Sequence, residues 1–297
     1  MSTDPVDADV PPIPPFNDRA VRWAVARGII RAGAVATALI FILVMVLVLA
    51  TAVLRSVQGN RFSGLAFDSL RAGHPEYTMS QLGSCCTVGP LGGVSNLGLA
   101  SRLSMLTRPT GALNYPGDGV MTLDQSVSGH LTVDYNQGPT PLGSALQRGR
   151  PDRSATVRLL RGLPAPTDVS ALVELAQPLD AAGFAAFYAA SVPTLDVPDR
   201  TATLYFSDPY DDAPVTWPDL GADGFQRWAA KLRSSDDAMM SAVGLPPVAE
   251  VQRDADRGLV YAIIVPRMPL SLAEALANDP EVRSLNVLDV GFDPAGA

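Results

Sequence analysis

The sequence predicts a single-pass transmembrane helix followed by an extracytoplasmic α+β domain, a sheet with helices mainly on one face. Three observations predict it. Residues 32–54 contain no charged side chain. Most of the chain, residues 55–297, follows that run, enough to bury a substantial core. Within residues 151–297, short alternating runs interleave with runs of helical period, the pattern of an α+β or α/β sandwich. The boundaries are a cytoplasmic tail with a basic juxtamembrane helix, 1–31; the span, 32–54; a loop- and β-rich stalk or subdomain, 55–150; and a sensor-like α+β domain, 151–297.

The tail opens on MSTDPVDADVPPIPP, rich in Pro and Asp, an extended segment with nothing to bury. Asn17 or Asp18 can cap a helix that starts near Arg19. Arg19, Arg22, Arg27 and Arg31 then fall partly on one face with Trp23 beside them. Such a helix lies at a membrane edge, where arginine and tryptophan anchor in the headgroup region. Arg19, Arg22, Trp23 and Arg27 are also the residues placed to dock a cytoplasmic partner.

The uncharged run is about 35 Å long as a helix, sufficient for a hydrocarbon core of ~30 Å. Only a helix pairs every backbone group internally there. The rival is a cleaved signal peptide, since Ala50-Thr51-Ala52 has the small-x-small form of a cleavage site. The long apolar core and the residues before it favour an uncleaved anchor. Four arginines precede the run and Arg55 and Arg61 follow it, so the tail is expected inside and residues 55–297 outside.

Composition narrows the partners. The chain has 22 basic and 30 acidic residues, net −8, and Lys231 is its only lysine. An acidic outer portion argues against nucleic acid and against binding anionic lipid heads. Cys85 and Cys86 are adjacent in GSCCTVG and are the only cysteines. Neighbours can close only a strained ring or pair with another chain. They are a redox pair or, in the plainer reading, two small residues in a Gly-rich loop. Around them QLGSCCTVGPLGGVSNLGLASRL reads as loop, and GHLTVDYNQGP as one strand.

In the last half TVRLLRGL and SALVELAQPL alternate like strands. Asp180 caps a helix in DAAGFAAFYAAS that buries Phe184, Phe187 and Tyr188. TATLYFSDP is a further strand. GADGFQRWAAKLRSSDDAMMSAVG reads as one longer helix with Phe225, Trp228 and Leu232 on one side. DADRG is a turn before GLVYAIIVPR, which has the β-branched density of a central strand. SLAEALAND places Ser271 and Glu274 at capping-box spacing, and VRSLNVLDVGF closes the sheet.

Chemistry is sparse. His74 and His130 are the only histidines, and no close set of His, Cys and acidic residues has zinc spacing. There is no nucleophile elbow, no P-loop, no dinucleotide fingerprint, and no serine three residues before Lys231. Asp208, Asp211 and Asp212 in SDPYDD could hold calcium, but the glycine and closing glutamate of a calcium loop are missing, and a solvated turn is the better reading. The expectation is a protein without catalytic, metal or cofactor residues.

Three stretches carry a resemblance. VSALVELAQPLDAAGFAAFY is a strand followed by a short helix. PVTWPDLGADGF sets a Trp shortly before Gly-Phe. RGLVYAIIVPRMPLSLAEALANDPEVRSLNVLDVGF is strand, turn, Leu-rich helix and strand. Together with the Arg-rich helix and span, these resemble bacterial sigma-factor regulators, the membrane-anchored anti-sigma factors, over most of residues 19–296. The resemblance implies an envelope sensor, with an unknown ligand or protein as its signal, that restrains a cytoplasmic sigma factor through the inner segment. The chain departs from many such proteins in having no HxxxCxxC zinc motif and only a short segment before the span.

Overall fold

The computed structural model describes residues 17–82, 101–113, 117–125, 130–135, 138–191, 202–218 and 222–292. Cys85, Cys86 and the Pro/Asp-rich start lie outside the described residues. The chain divides into two compact units, Met1–Val57 and Gln58–Ala297.

The described residues of the first unit form a helix. Helix α1 spans Asp18–Gly73. Asn17 rather than Asp18 caps it, its Oδ1 accepting the Ala20 amide at 3.4 Å. The stretch Asp18–Leu49 is long and apolar enough to cross a membrane, and none of its apolar window is buried within the protein. Leu43, Phe41 and Leu47 are each about 60% exposed (60%, 65% and 59%), which in water would leave a large unpaid hydrophobic surface.

In the second unit the last turns of α1 bury Leu65, Ala66 and Leu70. A four-stranded antiparallel sheet follows, β1 (Tyr77–Gln81), β2 (Ser101–Pro109), β3 (Gly119–Gln125) and β4 (Leu131–Tyr135), ordered β1-β2-β3-β4. Its inner face presents Met79, Leu103, Met105, Met121 and Leu123, in one core with Leu65 and Leu70. The single strand expected in GHLTVDYNQGP is β4; the other three carry Ser, Thr and Arg between their core residues, which blurs the apolar signal.

The second sheet has five antiparallel strands: β5 (Thr167–Leu179), β6 (Thr203–Tyr205), β7 (Thr216–Trp217), β8 (Val260–Pro269) and β9 (Val282–Phe292), ordered β7-β6-β8-β5-β9. The expected central strand is central: β8 has two neighbours on each side. Register sorts the two faces. Leu204, Ile263, Val173 and Leu285 form one row across β6, β8, β5 and β9. The row Tyr205, Ala262, Glu174 and Ser284 lies on the opposite face.

The first face is covered by helices. These are α3 (Arg153–Arg161), α4 (Ala181–Ser191), α5 (Ala222–Ala229), α6 (Asp237–Ala242), α7 (Val248–Arg257) and α8 (Leu270–Asn278), with α2 (Pro141–Arg148) on the other side, where Leu142 meets Leu172 and Ile264. The expectation of helices mainly on one face therefore matches the described residues.

Several local expectations are corrected. TVRLLRGL is not a strand but most of α3. Asp152 caps it by accepting the Ala155 amide at 3.1 Å, and Thr156 and Leu160, one turn apart, are its buried pair. The longer helix from residue 222 breaks into α5, a 3-10 turn at Ser234–Asp236 and α6. The break is a competing cap: the Asp236 carboxylate accepts the Arg233 amide at 2.8 Å. Phe225, Trp228 and Leu232 are nevertheless all buried. DADRG is the end of α7, closed by Gly258 at φ 59°, a left-handed cap that only glycine adopts at little cost. Ser271 lies inside the first turn of α8 and makes no cap; Pro269 stands at that boundary. The Asp180 cap does form, accepting the Gly183 amide at 2.8 Å, and α4 buries Phe184 and Phe187 with Tyr188 partly covered. The Trp-then-Gly-Phe spacing has a packing reason. A Cβ at Gly224 would lie 2.6 Å from Trp217 Nε1, and the bare backbone lets the indole settle 6.2 Å from Phe225.

Candidate functional site

The four tail residues singled out for partner binding are all exposed on α1. At about 100° per residue, Arg19, Trp23, Arg27 and Arg31 follow one slowly drifting line. These four line a single strip with Ala20, Ala24 and Gly28. The Arg27 guanidinium lies 5.0 Å from the centre of the Trp23 ring, a cation–π contact. Arg22 does not line the strip. The structure thus joins Arg19, Trp23 and Arg27, adds Arg31 and sets Arg22 aside. The indole is 66% exposed, so the strip offers a flat apolar ring bracketed by positive charge.

In the second unit the most ordered polar group lies on the α2 side of the five-stranded sheet. Glu174 is 3% exposed in the middle of β5. A buried carboxylate needs partners. Arg150 Nε donates to its Oε2 at 2.7 Å, Ser284 Oγ donates to the same oxygen at 2.8 Å, and Arg283 Nη1 donates to Oε1 at 3.2 Å. Arg150 also reaches Asp208 at 3.0 Å and lies 4.9 Å from the Tyr210 ring centre. Its bond to Glu174 raises the guanidinium pKa further, so it stays charged. The network balances two arginines against two carboxylates. It ties the end of α2 and the 206–213 turn to the sheet.

In the SDPYDD turn, weighed from sequence as a calcium loop, the carboxylates have other surroundings. Asp208 spends its oxygens on Arg150 and on the Tyr210 amide at 2.9 Å. Burial and the nearby Asp208 and Asp212 charges raise the Asp211 pKa. Among the described residues, no group of three or more His, Cys, Asp and Glu side chains is placed to hold a metal ion.

His74 sits in the turn between α1 and β1. Its Nδ1 lies 2.9 Å from Glu76 Oε1, and its ring packs 5.7 Å from that of Tyr135. Its Nε2 is buried without a hydrogen-bond partner, as is the hydroxyl of Tyr205. A carboxylate-oriented imidazole is half of a general-base arrangement. The other half, a hydroxyl or thiol bonded to Nε2, is not formed among the described residues.

Sequence reasoning passed over Glu174 and its partners, which are spread from residue 150 to 284. One signal was readable: a glutamate inside the apolar run SALVELAQPL cannot be buried without cations to meet it. Which cations is a tertiary fact.

The described residues hold one helix long and apolar enough to cross a membrane, followed by an α+β unit with two antiparallel sheets. No known family, curated protein or solved structure matches the chain.

Proposed function

We propose that the protein is a membrane-anchored regulatory sensor, with residues 58–297 outside the cytoplasm and a short inner segment acting on a cytoplasmic partner in the manner of an anti-sigma factor. The observation that supports it most is the bare apolar stretch of α1, which is long and apolar enough to cross a membrane and carries an arginine–tryptophan strip at its start. Four arginines before the uncharged run against two shortly after it favour a cytoplasmic N-terminus. The strip suits a groove on a partner, with Trp23 as the buried anchor and Arg19, Arg27 and Arg31 as the rim. An outer signal reaches it only if the ligand binds two states of the outer unit with different affinity.

Crosslinking in cells tests this reading. The full-length chain is compared with one lacking residues 1–26, and captured cytoplasmic proteins are identified. A sigma factor captured only by the full-length chain supports it. Capture that is indifferent to the tail sinks it and leaves a non-catalytic envelope interaction protein held by a plain anchor. Protease protection in spheroplasts checks orientation: degradation of residues 58–297 by external protease is the expected result.

A further inference from the structure

Beside the last turns of α1, within the second unit, lies a pocket of about 470 Å³. That is within the range of small-ligand sites. Arg61, Gly64, Leu65 and Asp68 supply one wall, and Ala230, Lys231 and Arg233 the other. The first four recur at helical spacing, so α1 presents them as one face. The second three follow α5, where the Asp236 cap halts the helix and turns the chain.

The three cations differ in state. Arg61 is fixed: its Nη2 donates to both oxygens of the buried Asp236, at 2.8 and 3.2 Å. Lys231 and Arg233 are exposed and make no ion pair among the described residues. Asp68 is the countercharge within the pocket, in the field of Arg71 and Lys231. Its partial burial raises its pKa. With Arg61 matched by Asp236, two free cations face one acid. A chain of net −8 has thus placed its only lysine, with a free arginine, at one concavity.

We propose that this pocket binds a phosphate-bearing anion. Lys231 supplies a mobile point charge and Arg233 a planar fork, while Arg61, neutralised by Asp236, adds only fixed N–H donors to the wall. Together they meet tetrahedral oxygens from several directions, as a phosphate group requires. Leu65 and Ala230 leave room for an apolar portion of the ligand. The same chemistry is offered by a phosphoglycerol lipid headgroup and by a soluble phosphate ester. The inference goes beyond the regulatory reading and does not rest on the tail.

The test uses the full chain in phosphatidylcholine nanodiscs, titrated with glycerol 3-phosphate in a calorimeter. Saturable binding is expected. The double variant Lys231→Ala/Arg233→Ala should weaken it by about tenfold or more, the loss of charge-assisted bonds. Asp68→Asn should tighten it, because a negative charge leaves the pocket. That opposite sign cannot come from misfolding, so it decides the matter even if the double variant is unstable. Arg257→Ala, a change of exposed charge elsewhere, should have no effect. In a second arm, phosphatidylglycerol retained on the protein is counted by native mass spectrometry. Retention that falls in the double variant, with weak displacement by glycerol 3-phosphate, identifies the headgroup as the source. Strong displacement identifies a soluble ester. Absence of both probes, or binding that moves equally with Arg257→Ala, overturns the proposal.

Discussion

The two faces of the five-stranded sheet are built on opposite principles. Adjacent residues of β8 show it: Ile263 points into the layer of helices and Ile264 into the thin layer under α2, and both are fully buried. Ile263 belongs to a large apolar cluster, from Leu204, Val173 and Leu285 in its row to the aromatic group of Phe206, Phe225 and Trp228. Phe206 and Phe225 stack at 4.2 Å. Around Ile264 the apolar set is small, Leu142, Leu172, Tyr205 and Ala262, and its margin is polar, with Glu174, Ser284 and Asn286. The difference teaches a division of labour. Hydrophobic burial on the helix face supplies most of the stability. Directional bonds on the other face fix where α2 and the 206–213 turn attach.

The sharpest break of that comparison is a matched pair of truncations. Ile263→Ala should cost about 4 kcal/mol, near the upper part of the usual range, because the helices around it are held by many other contacts and cannot close the cavity. Ile264→Ala should cost about 2.5 kcal/mol, because α2 has only two turns and can settle onto the gap. Urea unfolding of the protein in nanodiscs, followed by Trp217 and Trp228 fluorescence, reads both. Equal costs would mean that the α2 layer is as rigid as the helical one.

The polar face is probed by Glu174→Ala. Arg150 and Arg283 lose a partner, yet their side chains are 39% and 44% exposed and recover water. The expected cost is therefore about 2 kcal/mol rather than the larger penalty of a fully buried broken pair. Ser284→Ala should cost about 1 kcal/mol, having removed one donor to the same oxygen. The same melts should show the signal of attachment: a Glu174→Ala protein nicked by protease in the 206–213 turn or at α2 well before global unfolding. Uniform resistance would assign the network to bulk stability instead.

Much of the helix face was legible in sequence and little of the polar face was. GLVYAIIVPR and VRSLNVLDVGF announce strands by β-branched density, and Phe225, Trp228 and Leu232 announce a buried stripe at helical spacing. These are local periodicities, and burial follows from them directly. The Arg/Trp strip was legible for the same reason, although exact face membership, Arg31 in and Arg22 out, needed the helix itself. Helix α3 was misread because Thr156, Val157 and two leucines in eight residues satisfy a period of two as easily as one of 3.6. The Asp152 cap was the deciding residue. Arg283 and Ser284 lie more than one hundred residues from Glu174, as the two walls of the Lys231 pocket lie from each other, and no spacing rule reaches across that distance.

The finest test of the comparison is one atom. Tyr205 sits on the polar face, in the row with Glu174, but its hydroxyl has no hydrogen-bond partner and its residue is fully buried. If this face works by satisfied bonds, the unsatisfied hydroxyl contributes nothing, and Tyr205→Phe should be neutral or stabilising by up to ~1 kcal/mol near neutral pH. The pH profile sharpens the point. Burial first, then the charges of Glu76 and Tyr210, raise the phenol well above its ordinary value. The folded state therefore keeps its proton while the unfolded chain gives its own up. Stability is full below the ordinary tyrosine range and falls as the pH rises through and beyond it. The gap between Tyr205→Phe and the parent protein should accordingly widen on the alkaline side and stay flat on the acid side. A substitution that instead costs more than about 1 kcal/mol at neutral pH, with no alkaline widening, would mean that the hydroxyl is bonded in solution and that the polar face is more completely paired than its geometry indicates.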